Sequence, residues 1–129
     1  MRFIYGLLVP LVWVSLTAAE PTEPRKQSQS DLNATELKNL NDAESEMTGL
    51  LNRLRASRTS AEVAKLNKSQ DAWKAYREAQ IEARWPADDK RIYGSVHLMC
   101  RYSELSRLMR ARVEELRSML VHVEGEVCY

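Results

Sequence analysis

Apolar residues recur at steps of three and four over most of the chain beyond residue 32, which is the spacing of one face of an α-helix. The first stretch predicts a helix that begins near Asn33, where Glu36 is placed three residues later to complete a capping box. This helix is expected to end near Ser57. Its apolar positions are Leu37, Leu40, Met47, Leu51 and Leu54.

The same spacing predicts a second helix. Thr59 and Glu62 are placed to form a capping box at its start, and Trp85 followed by Pro86 ends it because proline cannot continue a helix. Its apolar positions are Val63, Leu66, Trp73, Tyr76 and Ala83. We expect the two aromatic residues of this set to lie in the core rather than on a contact surface.

A third helix is predicted from about Ser95 to about His122, after a charged loop over residues 88–91. Short links between long helices favour antiparallel neighbours. We therefore predict an all-α domain over residues 32–122, an antiparallel three-helix bundle with up-down-up topology. The apolar positions of the third helix are Leu98, Tyr102, Leu105, Met109, Leu116 and Met119.

The two ends of the chain differ from this pattern. Residues 1–19 are predicted to be a secretory signal peptide, because Arg2 precedes an uncharged apolar core that ends in small residues. A retained anchor is the alternative, but the apolar stretch falls short of the ~20 residues that a spanning helix needs. The polar, proline-containing residues 20–31 predict a disordered leader, and residues 123–129 a C-terminal tail.

The charge of the chain is balanced. It contains 19 Lys and Arg residues against 18 Asp and Glu residues, and one of the basic residues, Arg2, belongs to the predicted signal peptide. A nucleic-acid-binding domain usually shows a basic excess, so no nucleic-acid partner is expected. Arginines do cluster between Arg101 and Arg112, but glutamates alternate with them, which is typical of a solvated helix face.

Two charged residues fall on the predicted apolar stripes, Glu44 in the first helix and Arg112 in the third. Burying either charge alone would be costly, so each is expected to reach the bundle edge or an opposite charge. We predict an ion pair between Arg112 and either Glu44 or Glu78. The alternative places Arg112 and Arg77 on a partner-binding surface.

Neither metal binding nor catalysis is indicated. His97 and Cys100 are three residues apart on a helix, and His122 and Cys128 are the only residues that would complete a ligand set. We expect no metal, no cofactor and no membrane anchor in the mature chain. The chain also has no Gly-rich phosphate loop and no Gly-x-Ser-x-Gly turn, so we do not expect an enzyme.

The second and third helices carry an ordered set of residues that resembles one known family. The set is Trp73-x-x-Tyr76-Arg77-Glu78, then Cys100, then Leu105, Arg112, Glu115 and Leu116. This order is similar to the LprI-like lysozyme inhibitor family, small secreted bacterial domains. The resemblance implies a helical, disulfide-containing domain of the periplasm or the extracellular space, some of whose relatives inhibit lysozyme.

The chain departs from the family pattern at several positions. Members usually have a cysteine where this chain has Ile81, and often Asn and Tyr where Glu44 and Met47 align. Cys100 therefore lacks its usual partner, and Cys128 is the only candidate.

A bond between Cys100 and Cys128 is barely within reach if the third helix is continuous. Cys100 would lie roughly 30 Å from a helix end near Leu120, and the tail spans about 27 Å when fully extended. We therefore favour a buried free Cys100 with an exposed Cys128 that is available for an intermolecular bond.

These observations favour a non-enzymatic periplasmic or secreted binding protein that resembles a lysozyme inhibitor. The exposed acids Asp88 and Asp89 are expected to meet a cationic lysozyme surface. The alternative is a structural or adapter protein whose helices pair with another chain or with a second copy. An adapter should leave an apolar stripe uncovered, whereas an inhibitor should be a compact monomer. The oligomeric state stays open.

Overall fold

The computed structural model describes residues 26–121. These residues form the helices α1 (Gln29–Ala56), α2 (Ser60–Arg84) and α3 (His97–Ser118), with a short 3₁₀ helix (Lys90–Tyr93) between α2 and α3. The described range contains no strand, which confirms the predicted all-α bundle. None of its helices is long and apolar enough to cross a membrane. The predicted signal peptide and C-terminal tail lie outside the described residues.

Helix α1 begins one turn earlier than predicted. The Ser28 hydroxyl accepts a hydrogen bond from the Asp31 backbone N–H at 3.1 Å, and the Asp31 carboxylate accepts one from the Ser28 N–H at 3.0 Å. This capping box takes the place of the one expected at Asn33 and Glu36, and it lowers the pKa of Asp31 because its donors stabilise the carboxylate. Residues 29–31 of the predicted leader are therefore helical.

The ends of α2 agree with the prediction, whereas those of α3 do not. The capping box between Thr59 and Glu62 is present, and α2 ends at Arg84, directly before Trp85 and Pro86. Helix α3 is shorter at both ends than expected. It ends at Ser118 because the chain tightens there into a turn, in which the Leu120 N–H donates to the Arg117 carbonyl at 3.0 Å.

Helices α1 and α3 are parallel and form the most closely packed pair. The Gln29 amide at the start of α1 contacts the Met99 sulfur at the start of α3, and Glu46 further along α1 pairs with Arg117 in the last turn of α3. Their shared seam is the main part of the core. Its buried residues are Ala43, Met47, Leu50, Leu51 and Leu54 of α1 and Met109, Val113 and Leu116 of α3.

Helix α2 runs antiparallel to the other two, as the up-down-up prediction requires. Its first turns lie beside the end of α1, where the Arg55 guanidinium donates to the Asn67 amide oxygen at 3.0 Å. Its last residue, Arg84, lies 3.7 Å from Glu104 near the start of α3. Only one narrow face of α2 is buried, and its buried residues are Leu66, Gln70, Trp73 and Ile81.

Several predicted core positions are wrong, because these apolar residues are exposed: Leu37, Tyr76, Ala83, Leu98 and Met119. Glu44 is exposed, as expected of a charge that reaches the bundle edge, and the neighbouring Ala43 is buried. Tyr76 is 52 % exposed because it lies to one side of the buried face of α2. Arg77 occupies that face instead, four residues after Trp73 and four before Ile81.

A buried polar network joins α2 to α3. The Arg112 guanidinium is 6 % exposed and donates to the Gln70 amide oxygen at 3.2 Å, to the Ser69 hydroxyl at 3.0 Å and to the Glu115 carboxylate at 2.7 Å. The predicted pairing with Glu44 or Glu78 is therefore wrong. Arg112 is neutralised within its own helix by Glu115, and α2 supplies uncharged acceptors.

Glu104 is a second buried charge, and it lies in α3 closer to the start of the helix than Arg112. Glu104 accepts two hydrogen bonds from the Arg107 guanidinium, at 2.7 and 2.9 Å, and is approached by Arg84 of α2. These contacts with Arg107 lower the pKa of Glu104, although burial opposes the shift. The sequence pattern had placed Glu104 on a solvated face.

Replacing Trp73 should test the narrow attachment of α2. Trp73→Ala is expected to lower the free energy of unfolding by ~3–5 kcal/mol, because it removes the largest side chain on the buried face of α2. Tyr76→Ala is the matched control on the same helix and should change the stability by about 0.5 kcal/mol or less. Equal losses in urea titrations of the two variants would contradict the assignment of core and surface.

The Glu104 pair predicts a loss of stability in acid. The pKa of Glu104 is lowered on folding, so its contribution is complete above the ordinary value of 4.5 and is lost as the pH falls through the folded value. Glu104→Gln should therefore be less stable than wild type at pH 7, and the difference should shrink by pH 3. Glu114→Gln, which alters an exposed pair with Arg117, is the control. A constant difference across this range would contradict the account.

Candidate functional site

The connection between α2 and α3, residues 85–96, borders a cleft. The cleft has a volume of about 500 Å³ and lies between the last turns of α2, the connection and the first turns of α3. Its walls combine apolar, acidic and basic groups, which suits a binding site better than a structural void. The lining residues are Glu78, Ile81, Glu82, Trp85, Pro86, Asp88, Lys90, His97 and Arg101.

Three aromatic side chains form one wall of this region, and we call Trp85, Tyr93 and His97 the aromatic cluster. The His97 imidazole is stacked on Tyr93 with ring centres 5.1 Å apart and meets Trp85 edge-on at 5.2 Å. Its Nδ1 atom is buried and has no hydrogen-bond partner among the described residues. The imidazole is therefore held by ring packing, which is an ordinary structural use of a half-buried histidine.

Two hydrogen bonds within the connection hold its backbone in place. The Tyr93 hydroxyl accepts a bond from the Ala87 backbone N–H at 2.8 Å, and the Lys90 ammonium donates to the Trp85 carbonyl at 2.6 Å. Gly94 has a φ of 73°, a left-handed conformation that a residue with a Cβ adopts only with strain. The chain can therefore reverse from the 3₁₀ helix into α3 while both ends of the connection stay tied.

The two acids predicted as loop contacts have different surroundings. Asp89 begins the 3₁₀ helix, which replaces the expected irregular loop, and accepts hydrogen bonds from the Arg91 guanidinium at 2.9 Å and the Arg91 N–H at 3.0 Å. These bonds lower the pKa of Asp89 and compensate its charge. Asp88 lines the cleft and makes no ion pair within residues 26–121. Of the two, Asp88 is the acid available to a partner.

Ile92 is the most exposed large apolar residue of the described chain, and no motif or periodicity in the sequence predicts its exposure. Its side chain is 67 % exposed and lies in the 3₁₀ helix between the charged cleft and Gly94. Helical periodicity gives no signal for such a residue because the 3₁₀ helix is shorter than two turns. An isolated apolar residue among charges, between a proline and a glycine, is the only hint in the sequence.

The family-motif residues divide between packing and the cleft. The Arg77 guanidinium lies 5.4 Å from the centre of the Trp73 ring and pairs with Glu78 at 2.6 Å. Glu78 in turn lines the cleft, so the motif helix contributes directly to this site. Trp73 packs in the hydrophobic core, and Arg112 belongs to the buried polar network between α2 and α3. The structure therefore brings Glu78 and Asp88 together and keeps Arg112 apart from them.

Cys100 lies in the first turns of α3 and is half-buried. Cys128, its only candidate partner, lies outside the described residues, so both alternatives from the sequence, the internal disulfide and the favoured free Cys100, stay untested. Within residues 26–121, no group of three or more His, Cys, Asp or Glu side chains is arranged to hold a metal ion.

Comparison with known proteins identifies the family. The family model described as "Lysozyme inhibitor LprI" matches residues 20–116, which include α1, α2 and all but the last two residues of α3. No curated protein and no solved structure matches the sequence. Because the match spans most of the chain and contains the motif residues of both α2 and α3, the chain belongs to the LprI lysozyme inhibitor family.

Proposed function

We propose that this chain is a non-enzymatic protein of the periplasm or the extracellular space that binds and inhibits lysozyme. The observation that carries the proposal is the match of residues 20–116 to a family described as lysozyme inhibitors. The signal peptide predicted from the sequence supports export, because residues 1–19 have the charge, apolar core and small-residue order of such peptides.

The cleft and the connection beside it are the best-supported contact region. Most apolar side chains of the helices are used in the core, and those that are exposed on α1, α2 and α3, such as Leu37, Tyr76 and Leu98, are less exposed than Ile92. The connection instead exposes Asp88 and Ile92 on a segment that is already tied by hydrogen bonds and ring packing. A preordered segment loses little conformational entropy on binding, which favours affinity.

Electrostatic attraction is expected to be modest. Asp88 and Glu82 at the cleft would attract a cationic lysozyme surface, but Lys90 and Arg101 line the same cleft. Such mixed charge guides orientation and partner choice more than it adds affinity. Of the two loop acids expected to contact lysozyme, only Asp88 remains a proposed contact, because Asp89 is paired with Arg91.

The adapter alternative has less support. Leu98 in the first turn of α3 and Met119 directly after its last residue are exposed, and the apolar stripe between them is buried. An uncovered stripe long enough to pair with another helix is therefore missing from α3. This distribution favours a monomeric inhibitor over a self-associating adapter.

Lysozyme inhibition is the direct test. The chain from residue 20 onward, at micromolar concentration, is expected to slow the hydrolysis of peptidoglycan by a c-type lysozyme, and added salt should weaken the effect moderately. Asp88→Asn should weaken inhibition by a few-fold through slower association. Asp71→Asn is the matched control, because Asp71 is an exposed acid on the distant part of α2.

Two results would count against the proposal. Unchanged hydrolysis at a large molar excess of the protein would remove lysozyme inhibition and favour the adapter. Inhibition that responds equally to the Asp88 and Asp71 substitutions would leave an inhibitor that uses another surface.

A further inference from the structure

Ile92 combines two properties that no other exposed apolar residue of the described chain shares. It is the most exposed of them, and it lies on a segment fixed at several points. Val121, the next most exposed, follows the end of α3 and has no comparable holding contacts in the described residues. Exposure of an isoleucine to water is unfavourable, so an isoleucine that is held exposed on a fixed segment is a candidate contact residue.

The surroundings of Ile92 resemble the centre of a protein interface. Arg91, directly before it, has a side chain that is 91 % exposed but bonded to Asp89 in a two-point ion pair. The apolar side chain is thus flanked by charges that already satisfy one another. An apolar anchor within a polar rim is the usual arrangement of the residues that dominate binding energy.

The aromatic cluster supplies the rigidity that such an anchor needs. Tyr93, the residue after Ile92, is held on one side by the His97 ring and on the other by the hydrogen bond from the Ala87 N–H. His97 is the first residue of α3, so the position of the 3₁₀ helix is coupled to the bundle itself. The anchor is presented in one orientation before any partner arrives.

We propose that Ile92 is the apolar anchor by which this inhibitor enters the glycan-binding cleft of lysozyme, with Tyr93 as the residue that positions it. This inference rests on the proposed function and specifies its contact. A single exposed isoleucine on a four-residue 3₁₀ helix offers one apolar contact point, which suits a recess in the partner better than a flat helix surface. This favours the concave substrate cleft of the enzyme as the partner surface.

Calorimetric titration of a c-type lysozyme with single variants of the mature chain tests the inference. Ile92→Ser is expected to weaken binding at least tenfold, or about 1.4 kcal/mol. The control Val121→Ser removes a similar exposed side chain at the opposite end and should change the Kd less than twofold. Thermal melting of both variants should match wild type because both side chains are exposed, and Ile92→Ala provides a milder second variant.

Tyr93→Phe separates positioning from contact. It removes only the hydroxyl that holds the Ala87 N–H, so the Ala87 amide should exchange its hydrogen faster and the affinity should fall by a few-fold with Ile92 intact. Unchanged exchange and affinity would overturn the positioning role. Wild-type binding that Ile92→Ser leaves intact would overturn the anchor but not lysozyme inhibition. Absence of wild-type binding would overturn both.

Discussion

The close parallel packing of α1 against α3 is the interaction on which the rest of the structure depends. Ala43 permits the approach, and Leu54, Val113 and Leu116 are fully buried by it. Because these two helices bury most of each other's apolar surface, α2 attaches through one narrow face. Polar groups are consequently buried between α2 and α3. There the Arg112 guanidinium of α3 donates to uncharged acceptors of α2, Gln70 and Ser69, and its acidic partner, Glu115, belongs to α3 itself.

This asymmetry also bears on where the proposed binding surface lies. A helix attached along a single face needs a firm connection to its neighbour, and the aromatic cluster and the tied 3₁₀ helix provide one between α2 and α3. The same contacts that hold α2 in place fix the segment that exposes Asp88 and Ile92. Stability of the bundle and presentation of the proposed contact therefore depend on the same residues, and damage to Tyr93 or His97 should affect both.

Local sequence signals predicted the elements well. The capping residues Thr59 and Glu62 and the stop at Pro86 placed α2, because their effects act within one turn. Periodicity was less reliable for faces. It placed Tyr76 rather than Arg77 on the buried face of α2 and did not mark Ala43 of α1 as buried, since a stripe of apolar residues is wider than the face that the bundle covers. The burial of Glu104 depends on its ion pairs with Arg107 and with Arg84 of another helix, and the exposure of Ile92 depends on a short 3₁₀ helix. The spacing of apolar residues along the sequence therefore predicts neither of them.

The central claim is that the α2–α3 connection is the surface that meets lysozyme. Its most direct test is an NMR titration of the isotope-labelled mature chain with unlabelled c-type lysozyme, following every backbone amide. The account predicts the largest chemical-shift changes within residues 86–97, with the amides of α1 nearly unaffected. Changes concentrated on the outer face of α1, with the connection unmoved, would contradict it.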